Sequence, residues 1–320
     1  MTAFSVRPAA SPDAWDAFLA RQRFRPFLQS WTMGEVYGDI DQPPVRLEAL
    51  DEKGEIAAIA FAHLVPARRG RHLSVPYGPV GNPAAFPALF EALAKAGREQ
   101  GCAFVRVSPH LPRGSEIGLG NLTSIRSPLH LLGEEIWYLP LRTPDPWTAD
   151  GDGTPREAEA MLMECRKTAR NLIRRAEKDG VTIEAAQYPD IALKEFIRLH
   201  DETRKRHGFT PYGNRFFRAQ VERFAKKGQV TVYLAHYQNE VIAASVHMTA
   251  FGETSYHHGA SSAAHSKIPA SYLLQWRAVE DALKRGDRVY NFWGIAPTHL
   301  DEEGERKLLD KSHPFAGVTT

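Results

Sequence analysis

Cysteine is nearly absent from this 320-residue chain, and so are long apolar runs. Cys102 and Cys165 stand in unrelated contexts, which excludes a disulfide framework and is typical of a reducing compartment. A bilayer span needs roughly 20 consecutive apolar residues, and Arg7, Asp13 and Asp16 interrupt any signal-like run at the N-terminus. The sequence therefore predicts a cytoplasmic protein.

Several common catalytic and binding motifs are missing as well. The chain has no glycine-rich phosphate loop of the P-loop or dinucleotide type, no Gly-x-Ser-x-Gly elbow, and no Cys or His spacing suited to zinc. We therefore expect no metal, no cofactor and no covalent enzyme intermediate. A site that holds two substrates so that one attacks the other needs only positioning and a few dipoles. Because the formal charge is only +2, any RNA binding requires a local basic patch.

Length and pattern indicate two domains of mixed α/β (α+β) type. A chain of 320 residues exceeds one ordinary core, and its 43% hydrophobic and 24% charged residues are typical of globular proteins. Strands, a crossover helix and a strand follow one another in the first half, and this order recurs from Val230 to Trp293. We expect two copies of one module, with mixed sheets flanked by helices. The linker-like Asp145–Thr154 places the boundary between domains 1–149 and 150–296.

Residues 254–295 read as a strand, a loop, a helix and a strand. Thr254–His258 has the alternation of a strand, and the following Gly-Ala-Ser-Ser predicts a loop. Pro269 suits the first turn of a helix, and Gly286 stands where a left-handed C-terminal residue is expected. Val289–Trp293 then reads as a buried strand.

The crevice beyond the strand ends of such a strand–helix–strand unit is a preferred ligand site. We predict that His257, His258, Asn291 and Trp293 face that crevice. Two alternatives remain open: Trp293 and Tyr290 can be plain core residues, and adjacent histidines are often surface or core residues.

The most basic stretch of the chain is residues 166–181. As a helix, it directs Leu162, Leu172, Ile173 and Ala176 toward a core. The opposite side then carries the cations Arg166, Lys167, Arg170, Arg174 and Lys178. Such a face is either simply solvated or a contact for the phosphates of RNA.

Several segments together resemble one enzyme family. They are Leu28-Gln29-Ser30-Trp31, Tyr77-Gly78-Pro79-Val80, Arg166-Lys167-Thr168 through Gly180-Val181, Pro269-Ala270-Ser271-Tyr272 and Tyr290-Asn291-Phe292-Trp293-Gly294-Ile295. Their order and spacing are similar to those of the Fem-type aminoacyltransferases (FemABX), which build the interpeptide bridges of peptidoglycan. Because no sustained heptad pattern predicts a coiled-coil arm, the chain looks closest to the FemX-like branch.

The resemblance implies two acetyltransferase-like (GNAT) domains in tandem, with segment 297–320 returning to the first. It implies transfer of an amino acid from aminoacyl-tRNA to the side-chain amine of a muramyl pentapeptide, either UDP-linked or lipid-linked. The acceptor is expected in the cleft between the domains, with the tRNA along the second domain. A monomer that contacts the inner face of the membrane peripherally is also expected.

The resemblance places Tyr37, Ser108, Tyr212, Phe216 and His258 at the acceptor cleft. We predict His258 and Gly259 to be catalytic, with backbone N–H groups near Gly259 steadying the oxyanion. The predicted tRNA contacts are Arg166, Lys167, Arg170, Arg174 and Arg175 of the basic helix. The full set of predicted acceptor-binding residues is Tyr37, Tyr77, Arg106, Ser108, Thr210, Tyr212, Phe216, Tyr256, Asn291 and Trp293. His258 is chosen because the unperturbed pKa of histidine lies nearest neutrality.

Two other functions compete with aminoacyl transfer. The first is an acyl-coenzyme A dependent N-acyltransferase on the same scaffold, although the loop His258–Pro269 lacks the Gln/Arg-x-x-Gly-x-Gly/Ala pattern that binds pyrophosphate in that fold. The second is a protein that binds RNA or a wall precursor without catalysis.

Overall fold

The computed structural model describes residues 4–67, 70–128, 131–144, 153–207, 212–300 and 306–308. The chain divides into two compact units between Leu132 and Gly133. This division lies earlier than the predicted boundary at 149/150, because the strand Glu135–Pro140 pairs within the sheet of the second unit. Most of the predicted linker and of segment 297–320 lies outside the described residues.

The first unit is a mixed sheet with flanking helices. Its elements are β1 (Ser5–Pro8), α1 (Pro12–Ala20), α2 (Trp31–Asp39), β2 (Pro44–Leu50), β3 (Ile56–Val65), β4 (His72–Pro76), β5 (Val80–Gly81), α3 (Phe86–Glu99) and β6 (Phe104–Ser108). The strand order is β1-β2-β3-β4-β6, with β5 paired to β3. Only β4 and β6 are parallel, and α3 connects them. The core lies between α3 and the sheet.

Local signals explain how this unit begins. The Ser11 hydroxyl accepts a hydrogen bond from the Ala14 N–H at 3.2 Å, and Pro12 occupies the first turn of α1, as predicted. The helix buries Trp15 completely, and the indole Nε1–H donates to the Gln29 carbonyl oxygen at 2.7 Å. A buried indole N–H needs such a partner.

The second unit repeats this architecture with more elements. They are β7 (Glu135–Pro140), β8 (Arg142–Thr143), β9 (Thr154–Pro155), α4 (Ala158–Glu164), α5 (Lys167–Lys178), β10 (Thr182–Ala185), α6 (Pro189–His207), α7 (Asn214–Ala225), β11 (Val230–Tyr237), β12 (Glu240–Ala250), β13 (Glu253–Ser261), α8 (Ala270–Arg285), β14 (Val289–Ile295), β15 (Thr298–Leu300) and β16 (Arg306–Leu308). The main sheet has the order β10-β11-β12-β13-β14-β7, in which only β13 and β14 are parallel.

The predicted repetition of one module is confirmed. In each unit an antiparallel series leads to a parallel pair whose strands a helix connects: β4, α3 and β6 in the first, and β13, α8 and β14 in the second. Gly286 ends α8 with φ of 81°, in the left-handed region that glycine adopts without a steric penalty.

Two local predictions are wrong. The Gly-Ala-Ser-Ser stretch is largely strand rather than loop, because Gly259, Ala260 and Ser261 pair with residues 243–245 of β12. The basic segment is not one helix with Leu162, because extended backbone at Cys165 and Arg166 separates α4 from α5.

Candidate active site in the second unit

The parallel strands β13 and β14 separate after a short common stretch. Their pairing ends at Ser255 and Asn291. Beyond these residues β13 continues along β12, whereas β14 continues along β7. Residues 256–261 and 292–295 therefore border an opening within the sheet, at the position predicted for a ligand site.

His257 and His258 lie at this opening with their rings 3.8 Å apart. A shift of the β12–β13 register between Val246 and His247 leaves His257 as the extra residue of a bulge. Bulges re-aim side chains and are frequent beside active sites. The ring of Trp293 meets His257 edge-on at 4.6 Å, so three of the predicted site residues are in contact in one chain of rings.

Both imidazoles are neutral at neutral pH. Burial lowers the pKa of His257 to about 3. Burial, together with the neighbouring His257 and His200, lowers the pKa of His258 well below its ordinary value. His258 therefore does not keep the unperturbed histidine pKa for which it was chosen. Its Nε2 is buried and has no hydrogen-bond partner among the described residues, which leaves a neutral nitrogen able to act as an acceptor.

Aromatic rings surround His258 on the side of α6 and α7. Its ring meets Phe217 edge-on at 4.9 Å and Tyr212 at 5.7 Å, and Tyr212 stacks on Phe216 at 4.4 Å. The predicted binding residues Tyr212 and Phe216 therefore stand beside the predicted catalytic histidine. Thr210 lies outside the described residues.

Tyr256 and Gly259 are matched sterically. A Cβ on Gly259 would lie 1.7 Å from the Tyr256 hydroxyl oxygen and 2.5 Å from its Cζ, so only glycine leaves room for this ring. Beneath the ring is a buried polar chain that sequence reasoning missed. The His247 Nε2 and the Tyr290 hydroxyl are 2.8 Å apart, and the Tyr290 hydroxyl donates to the Gln275 Oε1.

Glu253 is a second residue that sequence reasoning missed. Its side chain is buried at the start of β13, where the Oε1 accepts hydrogen bonds from the Asn291 Nδ2 at 2.7 Å and the Ser255 hydroxyl at 2.9 Å. The Asn291 Oδ1 in turn accepts the Trp293 N–H at 2.7 Å. An acidic residue in a strand was the only available signal, because its burial depends on the packing of the sheet.

Some arginines of the basic helix α5 make contacts within the protein. The Arg170 guanidinium donates to the carbonyl oxygens of Met163, at 2.7 Å, and Cys165, and so joins α5 to the end of α4. Arg175 bonds the Asp179 carboxylate at 3.3 Å and the Lys267 carbonyl oxygen at 3.2 Å. Arg174 lies 3.7 Å from the exposed Glu159 carboxylate, a weak pair, so it remains accessible.

Arg166 and Lys167 complete the predicted basic set. Both are exposed, and neither has an acidic partner among the described residues. Their positive charge is therefore available to a ligand.

Comparisons with known proteins identify the fold. Residues 163–300 match the family model of the acetyltransferase (GNAT) domain. The structure of FemX matches with a TM-score of 0.73 at 15% identity, over 98% of this chain and 92% of that one. The fold is FemX-like. No curated protein sequence matches the chain.

Two further solved structures share the fold more loosely. The C-terminal domain of a putative lysylphosphatidylglycerol synthetase from Agrobacterium fabrum has a TM-score of 0.50 at 18% identity, over 89% of this chain and 78% of that one. L-PGS from Bacillus licheniformis has a TM-score of 0.50 at 17% identity, over 92% and 78%. The predicted tandem acetyltransferase-like fold is thereby confirmed.

The predicted site residues of the first unit differ in how much of their surface is accessible. In the first unit, Tyr37 is only 7% exposed and stacks on His63 with the ring centroids 3.6 Å apart, so it is a core residue. Tyr77 is also buried and lies 5.1 Å from the His110 ring. Arg106 and Ser108 are half-buried on β6 and keep part of their surface accessible.

The described part of the chain offers neither a metal site nor a membrane span. No group of three His, Cys, Asp or Glu side chains there is arranged to hold a metal ion. Among the same residues, no helix has the length and apolar character needed to cross a bilayer.

Proposed function

We propose that this chain is an aminoacyltransferase that moves an amino acid from aminoacyl-tRNA to the side-chain amine of a muramyl pentapeptide, in cytoplasmic synthesis of the peptidoglycan bridge. The FemX-like fold, the GNAT domain match and the Fem-type sequence segments all support this assignment. The acceptor is the UDP-linked or the lipid-linked form.

The observation that carries the proposal is the position of the basic helix. The Arg175 guanidinium bonds the Lys267 carbonyl oxygen at 3.2 Å, which ties α5 to the loop before α8. That loop, residues 262–269, contains no glycine, so it lacks the turn that holds a pyrophosphate in coenzyme A dependent relatives. The exposed cations Arg166 and Lys167 instead extend the positive surface along α5, as the backbone of an RNA donor requires.

The reaction is direct acyl transfer. The acceptor amine attacks the carbonyl carbon of the aminoacyl ester, and the carbonyl electron pair moves to the oxygen. Collapse re-forms the carbonyl, breaks the bond to the ribose oxygen and leaves an amide. The ribose oxygen takes the proton that the nitrogen loses. We assign the neutral imidazole of His258 the role of orienting the attacking amine.

The GNAT domain match also fits a second function, N-acylation from acyl-coenzyme A. One assay separates the two. Purified protein is given a muramyl-pentapeptide acceptor together with either charged tRNA or acetyl-coenzyme A. Transfer from charged tRNA alone supports the proposal, and transfer from the thioester alone contradicts it. Tight binding without transfer indicates a non-catalytic binding protein.

Charge reversal tests the RNA contact separately. Arg166→Glu with Lys167→Glu should weaken binding of charged tRNA and reduce its salt slope by about 0.7–0.9 for each phosphate that is no longer neutralised. Arg170 is left unchanged because it holds α4 and α5 together. The matched control reverses Lys95 and Arg98, two exposed cations on α3. If the two double variants had equal effects on tRNA binding, α5 would be only a solvated face and not an RNA contact.

A further inference from the structure

The backbone of Trp293 is held in an unfavourable conformation at the opening of the sheet. Its φ is 71°, in the left-handed region that bulky side chains rarely adopt. Such a conformation costs on the order of 1–3 kcal/mol and persists only where the surroundings enforce it. The flanking ladder between β14 and β7 is interrupted between Asn291 and Gly294, so regular pairing does not enforce it.

Side chains enforce it instead. The Asn291 Oδ1 accepts the Trp293 N–H at 2.7 Å, a bond between a side chain and the backbone two residues later that favours a turn over a strand. The other end of the same amide is fixed, since the Asn291 Nδ2 donates to the Glu253 Oε1 at 2.7 Å. An amide that donates at one end to a buried carboxyl cannot flip, and its oxygen must therefore face Trp293.

The conformation of Trp293 determines which side chain its ring contacts in the candidate active site. With its backbone turned, Trp293 places its ring edge-on to His257 at 4.6 Å, and the His257 ring is 3.8 Å from His258. A contiguous series of contacts therefore leads from the buried Glu253 carboxyl to the His258 imidazole.

We propose that Glu253 and Asn291 are positioning residues that hold Trp293 in its left-handed conformation and thereby fix the two histidines of the site. Neither residue touches the reacting atoms. The inference rests on the proposed function only in giving the histidines a role in acyl transfer. The conformation of Trp293 can be tested without any substrate.

The direct test is fluorine NMR of protein labelled with fluorotryptophan. The chain has six tryptophans, and the resonance of Trp293 is identified by its loss in Trp293→Phe. Asn291→Ala should shift that resonance and leave the other five in place, since only Trp293 loses its hydrogen bond. Ser255→Ala is the matched control: it removes the other bond to the Glu253 carboxyl, at 2.9 Å, and should leave the Trp293 resonance unshifted.

A second variant pair keeps the test decisive if Asn291→Ala does not fold. Asn291→Asp retains the acceptor for the Trp293 N–H but loses the donor to Glu253. At low pH a proton shared by the two carboxyls can replace that bond, and as the pH rises the carboxylates repel each other, with Asp287 adding like charge. Adding Glu253→Gln restores a donor, because the new amide nitrogen can donate to the aspartate at every pH.

The expected result is a Trp293 resonance that moves with rising pH in Asn291→Asp and is restored in the Glu253→Gln/Asn291→Asp double variant. With an active acyl donor, kcat should fall on the order of 100-fold in Asn291→Ala at nearly constant KM, as expected for a misplaced catalytic group, and recover in the double variant. An unshifted Trp293 in Asn291→Ala, or a double variant no better than Asn291→Asp, would overturn the inference. If the wild-type protein transfers nothing from either donor, the proposed function fails while the NMR result still decides this one.

Discussion

The buried Glu253 makes the stability of the second unit depend on pH in a direction opposite to that of most carboxyl groups. Burial raises the pKa of Glu253 from 4.5 to about 7. The hydrogen bonds from Asn291 and Ser255 lower it, and the charge of Asp287 raises it further. The side chain is only 4% exposed, and its Oε2 has no partner among the described residues.

The sign follows from proton counts. In the unfolded chain the Glu253 carboxyl loses its proton near pH 4.5, whereas in the folded protein it keeps the proton until about pH 7. Between these values the folded state binds more protons, so stability falls as pH rises. One pKa unit corresponds to about 1.4 kcal/mol, and the whole interval therefore to about 3 kcal/mol. Between about pH 5 and about pH 8 the same relation gives about 2–3 kcal/mol.

Glu253→Gln removes this titration and keeps an oxygen that can accept from Asn291. Urea unfolding of the second unit, followed through the Trp293 fluorine resonance, measures the effect at both pH values. The free energy of unfolding of the wild-type protein should fall relative to that of the variant by about 2–3 kcal/mol from about pH 5 to about pH 8. Titrating histidines are common to both proteins and cancel.

Glu222→Gln is the control, because Glu222 is exposed on α7 in a surface pair with Lys226. Its difference from the wild-type protein should not change with pH. If Glu253→Gln also gave a constant difference, the carboxyl would be as ionised in the folded protein as in the unfolded chain, and the reasoning from burial would be refuted.

Three further outcomes are expected. Gly259→Ala forces a Cβ against Tyr256 and should destabilise the protein by about 1–3 kcal/mol in thermal unfolding. The double variant with Tyr256→Ala should lose less stability than the sum of the two single variants. Strictly additive losses would contradict a clash between the Cβ and Tyr256. Burial lowers the pKa of His63 to about 3. The stability that the neutral imidazole contributes is therefore fully present above pH 6.5 and is lost as the pH falls toward 3. In an acid titration followed by circular dichroism, His63→Phe should unfold at a lower pH than the wild-type protein. The buried Gln29 amide bonds both the N–H and the carbonyl oxygen of Phe61, so Gln29→Leu should lose roughly 1–3 kcal/mol for each group left unpaired, and a loss below that range in urea unfolding would show that water replaces the amide.

Features that depend on neighbouring residues could be predicted from the sequence. The cap at Ser11, the left-handed Gly286 and the parallel pair around α8 all follow from local signals, because caps, turns and helical periodicity act over a few residues. The repeated order of elements and the Fem-type segments were sufficient for the fold. They also located the opening occupied by His257, His258 and Trp293.

Which polar groups are buried, and what they contact, depends on the tertiary structure. Gly259 lies in a strand because β12 pairs with it, and Tyr37 lies in the core, where it stacks on His63. The lowered pKa of His258, the raised pKa of Glu253 and the left-handed Trp293 all arise from contacts between residues far apart in sequence or from desolvation. Desolvation and long-range hydrogen bonds have no local signature, since the same side chains on an exposed strand would be ordinary.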